Sequence, residues 1–215
     1  MNKNYQKLRE EVETFFCEEN LVSDSREQHI SPNGNYCLTI DAYTTGPRSW
    51  EYTRGIVTRI SDSSIVADIK RNFGLFWFLW HTDKNGAEYL LCGEDYQGQT
   101  VISLENCNVV TYFPESGFKG VGFCWTAAFA SNDSKILAVE GCYWACPYEI
   151  VFYDFSKPSK LPYRELLRIR DFDEVIGWNE LGQFEYTQLV ENESDHSIED
   201  KVIKKINLDD VLGVA

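Results

Sequence analysis

The chain has 215 residues and a formal net charge of −14, from 34 acidic and 20 basic side chains. That excess repels nucleic-acid phosphates and anionic membrane surfaces, and it favours a basic protein or a cationic ligand as partner. Hydrophobic residues make up 43% and aromatics 14%, enough to fill a large core, which excludes intrinsic disorder.

The first residues, Met1 to Lys7, run into Glu10, Glu11 and Glu13 with no apolar stretch between them. Neither a secretory leader nor a membrane span is therefore expected. Seven scattered cysteines, an odd number, suit a reducing compartment and predict cytoplasmic residence. Residues 4–19 read as an amphipathic helix. Tyr5, Leu8, Val12, Phe15 and Phe16 recur at steps of three and four, with polar residues between them. This stripe is expected to dock on the rest of the protein, and Leu21 to Gln28 reads as a connecting loop. Residues 1–28 are thus an N-terminal helix and linker.

Beyond residue 28 the helical period gives way to β-branched and aromatic clusters. Tyr36, Leu38 and Ile40 alternate with Cys37 and Thr39, and Gly55 to Ile60 follows as a second strand. The aromatic run Phe73 to Trp80 opens the next repeat, which continues through Tyr89 to Cys92 and Thr100 to Leu104. Phe123 to Phe129, Ile136 to Val139 and Glu149 to Asp154 make a third repeat. Val175 to Trp178, Phe184 to Tyr186 and Val202 to Ile206 make a fourth, more polar one with a long loop at 191–196. The stretch Leu161 to Ile169 fits a helical turn or an outer strand.

Turns mark the period: Ser31-Pro32-Asn33-Gly34, Asp83-Lys84-Asn85-Gly86, Ser131-Asn132-Asp133-Ser134 and Asn179-Glu180-Leu181-Gly182. From Gly34 to Gly86 to Ser134 to Gly182 the steps are 52, 48 and 48 residues. That is the length of one small antiparallel sheet, and the repeats divide as 29–72, 73–118, 119–170 and 171–215 of a single domain. The pattern resembles WD-repeat and related β-propellers over residues 29–215, with a period of about 40 to 50 residues per blade. The signature Gly-His and Trp-Asp dipeptides are absent, and Tyr153-Asp154 and Glu105-Asn106 stand where Trp-Asp would. The resemblance implies an all-β, four-repeat, propeller-like arrangement with one N-terminal helix. Four blades are the low limit for a closed ring. The repeats fit a closed ring, an open array, or a ring completed by a second chain in a homodimer.

No nucleophile elbow, zinc-protease helix or phosphate-cradling loop occurs. Gly117 to Gly122 reads as a link between blades. His81, before a turn, reads as structural, and His196, in an acidic loop, as solvated. Cys142 and Cys146 lack the second matched pair that a structural zinc site needs, so neither metal nor cofactor is expected. Glu94 and Asp95 are adjacent, and adjacent residues of a strand point to opposite faces, which spoils them as a hydrolytic pair. No catalytic residue is therefore assigned.

Superposing the repeats brings together loops remote in sequence. Asp41, Glu94 with Asp95, Glu140 and Glu191 stand just past the second strand of each repeat. Tyr43 and Trp50, then Tyr96, then Tyr143, Trp144 and Tyr148 accompany the first three. The expectation is a non-catalytic interaction module whose acidic, aromatic-rich face takes a basic ligand or protein. The alternative is a carboxylate-dependent hydrolase using the same face.

Overall fold

The computed structural model describes residues 3–144, 146–191 and 198–213. The loop read at 191–196 therefore lies, from residue 192 on, outside the described residues, as does Ala145. After an N-terminal helix α1 (Lys3–Glu13) the chain forms fifteen strands among the described residues, gathered in four antiparallel sheets in which each strand pairs with the next in sequence. The first sheet holds β1 (Glu27–Ile30), β2 (Tyr36–Thr44), β3 (Glu51–Arg59) and β4 (Ile65–Arg71). The second holds β5 (Leu79–Thr82), β6 (Glu88–Cys92), β7 (Gln99–Ser103) and β8 (Asn108–Tyr112). The third holds β9 (Phe123–Ala130), β10 (Ile136–Tyr143), β11 (Tyr148–Asp154) and β12 (Glu165–Ile169). The fourth has three strands, β13 (Glu174–Trp178), β14 (Gln183–Glu191) and β15 (Ile198–Asn207), followed by a short helix α2 (Leu208–Leu212). The fold is all-β, built of four propeller-like meanders in chain order.

The four turns that set the period share one local mechanism. In each, the first residue's carbonyl accepts from the fourth residue's N–H: Ser31 from Gly34 at 2.8 Å, Asp83 from Gly86 at 3.0 Å, Ser131 from Ser134 at 2.8 Å and Asn179 from Gly182 at 3.1 Å. The first residue's side chain then accepts main-chain N–H groups further along. Ser31 Oγ takes Tyr36, Asp83 Oδ1 takes Asn85 and Ala87, Ser131 Oγ takes Lys135 and Ile136, and Asn179 Oδ1 takes Leu181 and Gln183. The fourth residue has φ of 73°, 84°, 59° and 74° in turn, which favours glycine and which Ser134 alone meets with a side chain. Short polar side chains and glycine recur because this geometry requires both.

The contacts group the chain into two compact units, Met1–Gly122 and Phe123–Ala215, a finer division than the single domain read from sequence. In the first unit Leu38, Ile40, Val57 and Ile69 of one sheet pack with Leu90 and Ile102 of the other. In the second, Ile136, Ala138, Ile150 and Phe152 pack with Phe184 and with Val211 of α2. Alternate burial along β2 follows from the period of two in a strand.

Several elements differ from the sequence reading. The helix ends at Glu13, and Phe15 and Phe16 lie in the following turn, stacked on Tyr52 at 4.3 Å and edge-on to Tyr43 at 5.1 Å. Most of the aromatic run Phe73 to Trp80 is irregular rather than strand, with Phe76 and Trp77 buried. Leu161 to Ile169 resolves into a loop and the outer strand β12. The linker read at Leu21 to Gln28 ends in β1, and Gly117 falls in a 3-10 turn (Glu115–Lys119) tied to Gln97. Gly141 sits at a bulge between β9 and β10, where an added Cβ would lie 2.3 Å from the Cys124 carbonyl oxygen and 2.9 Å from the Phe123 ring. Gly141→Ala is expected to cost about 2 kcal/mol through forced backbone displacement, read as a lowered thermal midpoint.

Candidate functional site

The loop between β6 and β7 is built around Asp95. Its Oδ1 accepts from the Gln97 N–H at 2.8 Å, and its Oδ2 accepts from Asn72 Nδ2 at 2.6 Å. Asn72 Oδ1 accepts in turn from the Tyr96 N–H at 3.0 Å, so the two side chains fix the loop backbone. Beneath them lies Arg71, only 1% exposed. It donates to the carbonyls of Leu75 at 2.7 Å, Gly93 at 2.5 Å and Asp95 at 3.1 Å. Burial raises the pKa of the Asp95 carboxyl, against the hydrogen bonds from Gln97 and Asn72 and the charges of Arg71 and Arg9.

Aromatic rings flank this loop. Trp50, 44% exposed, donates from Nε1 to the Asn72 carbonyl at 2.7 Å. Its ring centroid is 5.5 Å from Phe73 and 6.4 Å from Tyr96, and Phe73 and Tyr96 are 6.0 Å apart. Asp95 and Tyr96 also line a cleft of about 590 Å³, whose opposite wall is α1 with Lys7, Leu8 and Val12. The helix therefore docks by only part of its stripe. Tyr5 is buried and stacks on Phe113 at 4.7 Å, whereas Leu8 stays 39% exposed at the cleft.

Glu94 does not face the same way as Asp95. Its Oε1 accepts from the Tyr5 hydroxyl at 2.5 Å, and its Oε2 lies 3.8 Å from the guanidinium of Arg9. Arg9 further donates to the carbonyls of Glu94 and Lys70, and Lys70 pairs with Glu13, so these groups fasten the helix. The two neighbouring carboxylates thus have separate partners, set by the bend of the loop after β6 rather than by strand alternation.

Of the predicted residues, Trp50, Asp95 and Tyr96 come together in the first unit, and Glu94 lies behind them. Asp41 and Tyr43 take the face of β2 opposite to Leu38 and Ile40. Asp41 is held by Arg26 in a two-pronged pair, 2.9 Å at each oxygen, and Tyr43 is buried against Phe16. In the second unit Glu140 is partly buried on β10, with its carboxyl pKa raised by burial. Tyr143, Trp144 and Tyr148 form an exposed group at the β10–β11 hairpin. There Tyr143 meets Phe123 edge-on at 5.3 Å, and Arg168 lies over both rings while pairing with Glu149 and Glu165. Asn72 and Phe73 were missed from sequence; they lie in the crossing between two sheets, outside any repeated loop.

His81 is buried, with its imidazole pKa lowered by that burial, and His196 lies outside the described residues. Among the described residues no three or more His, Cys, Asp and Glu side chains are grouped so as to hold a metal ion, and no helix is long and apolar enough to cross a membrane.

No family model matches the chain. It is 34% identical over 207 residues to the uncharacterized protein R762 of Acanthamoeba polyphaga mimivirus, a match covering 92% of this chain and 79% of that one. The chain belongs to the family of this viral protein. Similar solved structures include the Cps50 (Swd1) β-propeller domain of Myceliophteria thermophila, with 10% identity and a TM-score of 0.43 over 82% of this chain and 72% of that one. A GH43 endo-arabinanase from Bacillus licheniformis is also similar, with 10% identity and a TM-score of 0.37 over 84% and 72% of the two chains.

Proposed function

We propose that this protein is a non-catalytic, cytoplasmic interaction module that takes a basic ligand, or a basic segment of a partner protein, against the loop face of Trp50, Asp95 and Tyr96. The observation that carries this reading is that Asp95, 4% exposed, and half-buried Tyr96 line one cleft, with the exposed Trp50 ring 6.4 Å from Tyr96. A carboxylate and ring faces together attract a cation, by charge and by the ring quadrupole. A net charge of −14 adds steering toward such a partner and away from nucleic acid and anionic lipid. The hydrolase alternative has less to stand on, because Glu94, the acid next to Asp95 in sequence, is engaged by Tyr5 and Arg9. The four meanders, with their WD-repeat-like period, are read in the same proposal as propeller blades that present this face.

Calorimetric titration with a tetralysine peptide tests the reading. Asp95→Asn and Tyr96→Ala are each expected to weaken binding about tenfold, a loss of about 1.4 kcal/mol, while the circular dichroism spectrum is kept. Unchanged affinity in both folded variants would sink the proposal. The pH dependence has a definite sign, since Asp95 must be ionised to attract a cation. Its raised pKa lets the proton compete at a higher pH than at an ordinary aspartate. Affinity should therefore fall on acidification, beginning above the usual carboxylate range, and Asp95→Asn should remove that dependence.

A further inference from the structure

The loop between β11 and β12 departs from the charge balance of its surroundings. In the second unit Lys135, Arg164, Arg168, Arg170, Lys201 and Lys205 each lie within 4 Å of a carboxylate. Lys157, Lys160 and Lys204 of β15 have no such partner among the described residues, although acidic side chains outnumber basic ones 34 to 20, and of these three Lys157 and Lys160 share one loop. Both lysines line a concave pocket of about 290 Å³, together with Ser156, Tyr163, Arg164 and Asp154.

The loop that carries them is pinned throughout its length. Phe155 is fully buried and donates its N–H to the Lys135 carbonyl at 2.7 Å. The Tyr163 hydroxyl bonds the Pro158 carbonyl, and its ring packs edge-on to Phe155 at 5.4 Å. The Lys160 N–H donates to the Lys157 carbonyl at 2.9 Å, and the Asp154 N–H to the Arg164 carbonyl at 2.9 Å. Two lysine stems thus start from a fixed backbone on the rim of one pocket. That lowers the ordering cost of bringing them to a common ligand.

Asp154 is the one carboxylate in the pocket, and it is occupied. Its Oδ1 accepts from Ser156 Oγ at 2.6 Å and from the Ser156 N–H at 3.2 Å, while its Oδ2 lies 3.4 Å from Arg164 Nη2. These bonds hold its carboxyl below the ordinary aspartate pKa, Ser156 contributing most. Three cations therefore face a single carboxylate that already serves the loop. The long Asp154–Arg164 contact leaves the guanidinium able to turn to a better acceptor.

We infer that this pocket binds a phosphoryl oxyanion, supplied as inorganic phosphate or as the phosphate ester of a small molecule. Two ammonium groups and a guanidinium match the terminal oxygens of one tetrahedral anion. The small concave volume suits one such group better than a flat acidic protein surface. The inference does not rest on the Asp95 face and uses none of its residues.

The full chain is titrated with inorganic phosphate and, separately, with phenyl phosphate, at fixed ionic strength against chloride, and followed by amide NMR. Saturable shifts confined to residues 154–164 are expected. A K157A/K160A double variant should weaken them about tenfold, and K204A, which removes an exposed lysine of β15, should leave them unchanged. Tighter binding of phenyl phosphate identifies an ester site, and tighter binding of inorganic phosphate a free-anion site; either upholds the inference. Shifts that follow ionic strength alone in the native chain, or that persist at full affinity in K157A/K160A, overturn it. The chloride comparison in the native chain decides the matter even if the double variant does not fold.

Discussion

Arg71→Ala will cost the first unit about 4 kcal/mol, a large part of the 5–15 kcal/mol by which a domain of ordinary stability is folded. The guanidinium is 1% exposed and reaches three main-chain carbonyls in two directions, Leu75 from Nε and Gly93 and Asp95 from Nη1. Truncation removes a charged donor from all three carbonyls, of which that of Asp95 keeps the Gly98 N–H at 3.1 Å and that of Leu75 belongs to an exposed residue, and it opens a cavity beside Phe73, whose ring centre lies 5.9 Å from the Arg71 Cζ. Each lost bond from a charged donor contributes about 1.5–3 kcal/mol, reduced where water or neighbouring groups fill in. Arg71→Lys should recover only a minor share, because one ammonium on a flexible stem cannot replace a planar fork. Urea unfolding followed by tryptophan fluorescence measures both variants. A loss below about 1 kcal/mol for alanine would show that the carbonyls find other donors. Because Arg71 also supports the Asp95 carbonyl, any surviving folded alanine variant should bind tetralysine more weakly as well.

Phe152→Ala will destabilise the second unit by about 4 kcal/mol. The ring is fully buried and meets Phe184 edge-on at 5.0 Å and Trp178 edge-on at 6.3 Å. Phe184 in turn packs edge-on against Trp178 at 5.1 Å and Phe129 at 6.2 Å, so one truncation removes the β11 member of a ring cluster that joins β11 to β9, β13 and β14. The loss combines apolar transfer with a cavity whose walls are themselves rigid rings. Phe152→Leu should lose about half as much, since it refills part of that volume. Thermal unfolding of the two variants gives the ratio, and equal losses would mean that the cluster collapses around either side chain.

The repeat was legible because its turns are closed by local chemistry. Ser31, Asp83, Ser131 and Asn179 each satisfy main-chain donors within five residues, and Gly34, Gly86 and Gly182 each supply a left-handed residue that few others adopt. The buried inner strands were legible through alternation or continuous apolar runs. Outer strands were not: β1 is exposed along almost its whole length and so carries no hydrophobic period. Helix α2 carries a capping signal in its sequence, with Asn207 before the first turn and Asp210 three residues on, whose Oδ2 accepts the Asn207 N–H at 3.2 Å. Phe15 and Phe16 continued the helical stripe in sequence, yet their rings follow Tyr52 and Tyr43 instead.

The candidate site was legible in part for a related reason. Trp50 and Tyr96 were placed in equivalent loops and do share one aromatic group. Asp41 and Glu94 are not equivalent, however: Asp41, seven residues after Gly34, lies within β2, whereas Glu94, eight after Gly86, lies past the end of β6 in the loop. Asn72, Phe73 and the α1 wall join the site only through tertiary packing, and Lys157 and Lys160 sit in the β11–β12 loop, which spans 155–164 where the corresponding loops of the first two sheets span only 60–64 and 104–107.

The hairpin joining the first two strands of each meander is closed by its own side chain, and in the second meander the β6–β7 hairpin is closed likewise, Asp95 taking the Gln97 N–H with its side chain and the Gly98 N–H with its carbonyl. Loop geometry and negative charge therefore reside in one residue. A relative that replaces Asp95 by a residue with no side-chain acceptor would have to rebuild the turn as well as give up the charge.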